Sequence, residues 1–275
     1  MEVPVSGFAP INAALVYYEI AGAGAPFVMI HAGIADSRQW SHEFAHFQQS
    51  FRVLRCDLRG YGKSEPVDGE FSRMNDLIAL LDYVHMAQPL ILMGCSMGGG
   101  LALDYALAHP PRARALIMVD AGPSGLELDV PKHPKAKEAE KAYDDGDLDL
   151  AAELETQIWF DGIGRTATQV DPSMRKLVYD MDRRDLELDA RHLGKRLPDA
   201  SVPAAGRLSD LKIPVLVIVG AHDTPFMQAA ADRLIQELPQ ASKVSIADAA
   251  HLPNLDRPDE FQQIVSSFLE GLLQT

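Results

Sequence analysis

A serine in the setting of a nucleophile stands at position 96, in the stretch GCSMG that follows the apolar run LILM. A serine hydroxyl attacks a carbonyl carbon effectively only when a base removes its proton. In a G-x-S-x-G motif between a strand and a helix, the glycines allow a sharp turn that lifts the hydroxyl clear of the sheet. The stretch therefore predicts that Ser96 is a nucleophile.

The base that such a serine requires is predicted to be His251. The chain contains nine histidines, and His251 lies in IADAAHLPNLDRP, on a loop between the last predicted strand and the last predicted helix. The chain order serine, acid, histidine accompanies this kind of turn. His31, which follows an earlier strand, is expected to organise its own loop.

Two aspartates could hold that histidine. Asp223 ends the predicted strand VLVIVGAHD, and Asp120 ends the predicted strand LIMVD. The chain order favours Asp223 as the acid. Asp120 remains the alternative, and its competing role is to cap the loop that follows it. His222 is expected to be structural, because adjacent side chains on an extended segment point in opposite directions.

A tetrahedral intermediate also needs two N–H donors for its oxyanion. Met97, the residue after the serine, offers one backbone donor. The second donor is expected from the loop after an earlier strand, and MIHAGIAD at 29–36 fits that position. Gly33 is the predicted donor, and Ile34 is the alternative one residue further along.

These residues need a scaffold, and strand-like runs alternate with helical ones along the chain. The predicted strands are 13–22, 26–31, 51–57, 89–95, 113–120, 213–220 and 242–248. The predicted helices are 37–50, 74–86, 97–110, about 226–238 and 259–273. This alternation predicts an α/β fold with a mostly parallel central sheet flanked by helices.

Residues 123–208 interrupt the alternation, because they are charged and favour helices. We expect residues 1–122 and 209–275 to form one core domain and 123–208 to form a helical insertion of subdomain size. The alternative is that 123–208 contributes further helices to a single core.

The amino-acid composition indicates which classes of binding partner are unfavourable. The chain has 25 basic and 39 acidic side chains and a net charge of −14, which disfavours nucleic acid and anionic membranes. Cys56 and Cys95 end apolar runs and are expected to be buried thiols.

No basic leader precedes Arg38 and no apolar run reaches the roughly 20 residues of a membrane helix, so a cytoplasmic location is expected. No H-E-x-x-H motif or clustered His/Asp ligands occur, so neither a metal nor an organic cofactor is expected.

Five stretches occur in the order and spacing of a known family: HAG (31–33), DLRGYGKS (57–64), GCSMGG (94–99), GAHD (220–223) and HLPNLDRP (251–258). With them the chain resembles the α/β-hydrolase superfamily over nearly its full length. It is most similar to the serine-nucleophile branch with a helical cap, which includes small bacterial esterases and 3-oxoadipate enol-lactonase-like hydrolases. Ala32 and Ala250 depart from the family, which usually has glycine there. The resemblance implies that 123–208 is the cap.

The resemblance also implies a function. It implies a serine hydrolase that cleaves a carboxylic ester of a small or medium-sized substrate through an acyl-enzyme intermediate. The alternative is an enol-lactonase or another hydrolase of a carboxylated substrate, whose carboxylate would need a basic side chain of the cap: Arg165, Arg175, Arg183, Arg184 or Arg191. A binding protein with little turnover is the alternative from another class.

The insertion would also supply pocket walls, and the candidates are Trp159, Phe160, Met174, Tyr179 and Met181. Aromatic and flexible apolar side chains of this kind suit an apolar acyl or alcohol group, although such residues more often attach one part of a protein to another. The expected partner is a small-molecule ester or lactone, and the oligomeric state is left open.

Overall fold

The computed structural model describes residues 4–273 and has a central sheet between layers of helices. Its strands are β1 (Val5–Ile11), β2 (Ala14–Ala21), β3 (Pro26–Ile30), β4 (Arg52–Cys56), β5 (Glu70–Phe71), β6 (Leu90–Cys95), β7 (Ala113–Val119), β8 (Lys195–Arg196), β9 (Val215–Gly220) and β10 (Ala241–Ile246). Its helices are α1 (Ser41–Phe47), α2 (Arg73–Tyr83), α3 (Met97–Ala108), α4 (Ala136–Asp144), α5 (Leu148–Thr156), α6 (Pro172–Asp189), α7 (Pro225–Glu237), α8 (Pro253–Asp256) and α9 (Pro258–Leu273).

The strands of the main sheet follow the order β1-β2-β4-β3-β6-β7-β9-β10. The pairs β1–β2 and β2–β4 are antiparallel, and the other neighbours are parallel. This confirms the predicted α/β fold with a mostly parallel sheet. The sequence reading missed β1, because Gly7 and Pro10 interrupt its strand pattern and most of its residues are not buried.

The central strands are apolar throughout because both of their faces are covered. Every residue of β3, β6 and β9 is buried. One face of the sheet packs against α2, α3 and α7 through residues such as Leu77, Leu101 and Leu234. The opposite face packs against α1 and α9 through Phe44 and Phe261. Burying each of these large side chains contributes about 1.5–3 kcal/mol, which holds the strand ends in fixed positions.

Between β7 and β9 the chain forms α4, α5 and α6, here called the insertion together with the segments that join them (residues 123–208). A small cluster around Ala151, Leu154 and Ile158 holds its helices together. Phe160 and Met181 belong instead to the core layer that also contains α9. The two-residue strands β5 and β8 form a separate parallel pair that joins the insertion to the core.

Cys56 and Cys95 are free thiols with buried side chains, as the sequence predicts. Burial raises the pKa of the Cys56 thiol to about 12. In the described part of the chain, no helix combines the length and apolar character that crossing a membrane would require.

Candidate active site

Ser96 lies on a strained turn between β6 and α3. Its backbone angles are φ +51° and ψ −116°, which residues with a side chain rarely adopt. Two glycines make the turn possible: a Cβ at Gly94 would lie 2.3 Å from the Gly98 carbonyl oxygen, and a Cβ at Gly98 would lie 2.4 Å from the Ile30 carbonyl oxygen. Because α3 begins at Met97, its free N–H groups favour negative charge beside Ser96.

His251 and Asp223 meet in a buried hydrogen bond. His251 Nδ1 donates to Asp223 Oδ2 over 2.6 Å, and both residues are buried. Asp223 Oδ1 accepts a second hydrogen bond of 2.6 Å from the backbone N–H of Thr224. Burial alone would raise the pKa of Asp223, but the facing His251 and the hydrogen bonds bring it below its usual value. The aspartate is therefore a carboxylate that can orient His251 and stabilise its protonated form.

The loop of His251 also touches the turn of Ser96. Cys95 Sγ lies 3.4 Å from the His251 carbonyl oxygen. Among the described residues, no protein group forms a hydrogen bond with the Ser96 hydroxyl. Hydrogen bonds between catalytic groups are often long without substrate and shorten when substrate binds. The structure therefore brings Asp223 and His251 into contact and leaves Ser96 adjacent to their loop.

Asp120, the alternative acid, lies beside Asp223 rather than on the histidine. It is buried, and its carboxyl oxygens accept hydrogen bonds of 3.0 and 3.2 Å from the Gly220 N–H. Burial, followed by the neighbouring charge of Asp223, raises the pKa of Asp120 well above its usual value. A protonated Asp120 can donate a hydrogen bond to the Asp223 carboxylate. The carboxylate that accepts the hydrogen bond from His251 belongs to Asp223, which is the acid that the chain order favours.

This convergence corrects one sequence expectation, because the chain was expected to have no clustered His/Asp ligands. Ligand atoms of Asp120, Asp223 and His251 all lie within 4.8 Å of one another. Asp223 and His251 are hydrogen-bonded directly over 2.6 Å, so an ion bound by both would have to break that bond. The donor set fits an acid–base pair with a second carboxyl group better than it fits a cation site.

The two predicted oxyanion donors are neighbours. A Cβ built on Gly33 would lie 3.8 Å from Met97 Cβ. The Gly33 loop is held by His31, whose Nδ1 donates to the Ala32 carbonyl over 2.7 Å and whose Nε2 accepts from the Leu58 N–H over 3.0 Å. Both ring nitrogens are used, and burial lowers the pKa of His31, so the ring is neutral and organises the loop as expected.

Comparisons with known proteins show the family of this chain. The model of a family described as "Alpha/beta hydrolase family" matches residues 27–264. The chain belongs to the alpha/beta hydrolase family. A pimeloyl-[acyl-carrier protein] methyl ester esterase of Nitrosospira multiformis is 25% identical over 90% of this chain and 95% of its own. A 2-hydroxy-6-oxononadienedioate/2-hydroxy-6-oxononatrienedioate hydrolase of Paraburkholderia xenovorans is 28% identical over 92% of this chain and 90% of its own.

Two solved structures have the same fold. The enol-lactonase from Burkholderia xenovorans superimposes with a TM-score of 0.76 at 24% identity, covering 96% of this chain and 100% of its own. A thermophilic esterase from Thermogutta terrifontis has a TM-score of 0.74 at 24% identity, covering 98% of this chain and 99% of its own. These likenesses agree with the alpha/beta hydrolase fold found here.

In this alpha/beta hydrolase the insertion is fastened next to His251. The Arg165 guanidinium forms a buried ion pair of 2.8 Å with Asp256 of α8 and also donates to the carbonyls of Phe160 and Asp161. Asp256 in turn accepts a hydrogen bond of 2.8 Å from the Ala250 N–H, one residue before His251. Arg165 is one of the arginines expected to bind a substrate carboxylate, but this ion pair already occupies its guanidinium.

The other four arginines proposed for a substrate carboxylate are also paired with acidic side chains. Their partners are Glu153 and Asp161 for Arg175, Asp149 for Arg183, Glu65 and Glu187 for Arg184, and Glu65 for Arg191. Two arginines outside that set, Arg73 and Arg196, line cavities at the site instead. Arg73 begins α2 in the core, and its position in the sequence carries no signal of a pocket.

Three cavities surround Ser96 and its partners. A cavity of 260 Å³ contains Ser96, Met97, Arg73 and Arg196 in its lining. A larger cavity of 410 Å³ is bordered by Gly33 and by both of these arginines. A third, mostly apolar cavity of 470 Å³ is bordered by Leu126, Leu128, Val130, Ile158, Trp159, Phe226 and Met227.

Of the five pocket residues that the sequence analysis suggests, Trp159 lines the apolar cavity, whereas Phe160 and Met181 are fully buried in the core. Met174 packs at the margin of the same core, and Tyr179 is half-buried. Most of these side chains therefore attach the insertion to the sheet.

Proposed function

We propose that this protein is a serine hydrolase that cleaves a carboxylic ester of a small or medium-sized substrate through an acyl-enzyme intermediate. The observation that carries the proposal is the strained turn of Ser96 beside the hydrogen-bonded pair of His251 and Asp223. Relatives named as a methyl ester esterase and as a hydrolase of an oxononadienedioate support hydrolysis as the class of reaction.

In the proposed reaction Ser96 Oγ attacks the ester carbonyl carbon while His251 Nε2 takes the hydroxyl proton. Asp223 holds the imidazole through Nδ1 and stabilises the imidazolium that forms. The N–H groups of Gly33 and Met97 bind the oxyanion, and each donor is worth roughly 10²–10³ in kcat. His251 then gives its proton to the leaving alcohol, takes one from water, and returns it to Ser96 as the acid leaves.

The apolar cavity beside Trp159 supports an apolar group on one side of the scissile ester, since 470 Å³ is within the size range of small-molecule sites. We further propose that the insertion, residues 123–208, acts as the cap that closes over this substrate. It supplies Ile158 and Trp159 to the cavity, while the core supplies Phe226 and Met227.

A second candidate, hydrolysis of an ester or lactone that carries a carboxylate, has one specific observation in its favour. Arg73 and Arg196 both line the cavity that contains Ser96. Arg73 Nε is buried without a hydrogen-bond partner in the described chain. A guanidinium in that position suits bidentate binding of a carboxylate.

Covalent labelling tests the proposed function directly. A fluorophosphonate should react with one residue, Ser96, and mass spectrometry of the tryptic peptide should locate the adduct there. Hydrolysis of 4-nitrophenyl butyrate should stop as the label is incorporated. Full esterase activity in a protein whose Ser96 is fully labelled would contradict the mechanism.

A further inference from the structure

An acidic wall lines the 410 Å³ cavity on the side of the insertion. Asp182 and Asp185 lie one turn apart on α6, and Glu155 lies near the end of α5. All three border the cavity, which on its core side reaches Gly33, the predicted oxyanion donor. Asp182 is only 2% exposed and Asp185 only 5%. Two nearly buried carboxyl groups therefore face a space connected to the site of the reaction.

These carboxyl groups lack the partners that buried acids normally have. Asp182 Oδ2 and Asp185 Oδ2 are buried without a hydrogen-bond partner among the described residues. Asp185 accepts one hydrogen bond of 2.9 Å through its other oxygen, from the Gly62 N–H. Buried polar atoms are normally paired, because an unpaired one loses its hydration without compensation. Two acidic side chains that border a cavity and lack hydrogen-bond donors suggest that a ligand in the cavity supplies the donor.

Most of the charges near these acids are negative. Burial raises the pKa of Glu155 to about 7. Burial, and then the charges of Glu155 and Asp185, raise the pKa of Asp182 well above its usual value. Burial, and then the charges of Asp36 and Asp57, also raise the pKa of Asp185, although the Arg38 charge lowers it in part.

The basic side chains that line the same cavity do not neutralise these acids. One is paired with another aspartate, and two lie on a different side of the cavity. Arg59 is engaged by Asp76 in a buried ion pair of 2.9 Å. Arg73 donates to the Tyr61 hydroxyl over 3.4 Å on the core side. Burial lowers the pKa of Arg73, and the positive charge of the nearby Arg196 lowers it further. The cavity thus has a basic side toward Ser96 and an acidic side toward α6.

We propose that the acidic wall of Glu155, Asp182 and Asp185 binds the ammonium group of an amine-bearing substrate. A primary ammonium is compact and carries three donors, so it can bond to more than one carboxyl group of this wall. It would also supply the positive charge that lets the acids ionise. The identification of the ligand as a substrate rests on the proposed function, since the cavity reaches Gly33. The binding site itself does not depend on it.

Binding is tested without catalysis on the Ser96→Ala variant. Its affinity for hexylamine and for hexan-1-ol is measured by NMR titration at pH 8. Hydrogen bonds between charged groups predict roughly 10- to 100-fold tighter binding of the amine. Asp182→Asn, which keeps the shape of the side chain, should reduce that preference to near one. Asp180→Asn is the matched control, because the Asp180 side chain is 42% exposed on the same helix and pairs with Lys176.

Two results would overturn the proposal: equal affinity for hexylamine and hexan-1-ol, or equal loss of amine binding in the Asp180 and Asp182 variants. If Asp182→Asn fails to fold, Glu155→Gln replaces it with the same expectation.

Kinetics with the wild-type protein then test the ligand as a substrate. kcat/KM for 4-nitrophenyl 6-aminohexanoate should exceed that for 4-nitrophenyl heptanoate, a neutral ester of the same length, and Asp182→Asn should remove the difference. Hydrolysis of both esters at equal rates by wild type refutes the ammonium preference and leaves the proposed function standing. Hydrolysis of neither refutes the proposed function, and the NMR titration still decides the binding site.

Discussion

Trp159 packs against the His251 ring, with the two ring centroids 4.6 Å apart and the ring planes inclined by 43°. Its carbonyl oxygen also accepts a hydrogen bond of 3.1 Å from the backbone N–H of His251. The proposed base is therefore held by its hydrogen bond to Asp223 and by packing against Trp159. Trp159 belongs to the insertion, so the insertion helps to position a residue of the core.

Replacing Trp159 should therefore change turnover. Trp159→Ala removes the packing on His251, and a small displacement of a catalytic group can cost up to about 10²-fold, so kcat should fall roughly 10- to 100-fold. Trp159→Phe keeps an aromatic face and should retain most of the activity. The measurement is steady-state hydrolysis of 4-nitrophenyl acetate, whose small acyl group makes little use of the apolar cavity. Equal kcat values for the two variants would refute the positioning role.

Ser96 offers a test of both chemistry and strain. Ser96→Ala and Ser96→Gly should each lower kcat by at least about 10⁴-fold, because neither retains a nucleophile. Only glycine relieves the positive φ, so Ser96→Gly should be more stable than Ser96→Ala by about 1 kcal/mol. Urea unfolding followed by circular dichroism measures the difference. A glycine variant less stable than the alanine variant would contradict the strain argument.

The two aspartates are separated by matched substitutions. Asp223→Asn should lower kcat by roughly 10⁴-fold, since the amide cannot stabilise the imidazolium and favours the wrong tautomer. Asp120→Asn should retain most activity, because an amide can still donate to Asp223 and accept from the Gly220 N–H. Asparagine also tolerates the φ of +42° at this position. The opposite ranking in kcat would exchange their roles.

Asp120→Asn should also change how stability depends on pH. The raised pKa of Asp120 means that the folded protein keeps a proton that the unfolded chain loses above about pH 4. Wild type therefore loses stability through this group as the pH rises from about 4 towards the folded-state pKa. The variant lacks this loss, so its stability relative to wild type should increase with pH, as measured by urea unfolding between pH 5 and pH 8. A constant difference would show that Asp120 is ionised in the folded protein.

The ion pair of Arg165 and Asp256 should contribute more to the free energy of unfolding than the exposed ion pairs of the insertion do. Arg165→Met leaves the Asp256 charge buried and unpaired, which should cost about 3–5 kcal/mol of unfolding free energy. Arg183→Met breaks the exposed pair with Asp149 and should cost no more than about 1 kcal/mol. Adding Asp256→Asn to Arg165→Met should recover part of the loss, because no unpaired charge then remains. Equal costs for the two single variants in urea unfolding would contradict this view.

Features that depend on neighbouring residues in the sequence could be predicted, whereas contacts between residues far apart along the chain could not. The buried strands β3, β6 and β9 were predictable because continuous apolar runs require covered faces. The turn at Ser96 was predictable because its two glycines are local to it. The pairing of Asp120 with Asp223 was not, since it depends on β7 and β9 becoming neighbours in the sheet.

Side-chain partners in the insertion were the least predictable part. An arginine there has the same sequence signature whether it binds a substrate or an aspartate, and Arg165 binds Asp256. The pocket arginine Arg73 lies in the core, where nothing in its sequence neighbourhood distinguishes it. The roles proposed for Ser96, Asp223, His251, Gly33 and Met97, and the division of the chain at 123–208, stay predictions, and the experiments above test those of Ser96 and Asp223 directly.

The ion pair of Arg165 and Asp256 restricts where the insertion can open to let substrate in and product out. Opening at that edge would break the Arg165–Asp256 ion pair, and the same Asp256 carboxylate holds the Ala250 N–H next to His251. A gate is therefore expected at another edge, and Phe71 and Arg196 of the short β5–β8 pair border the 410 Å³ cavity. Separating two residues of strand there would admit a molecule without disturbing the imidazole.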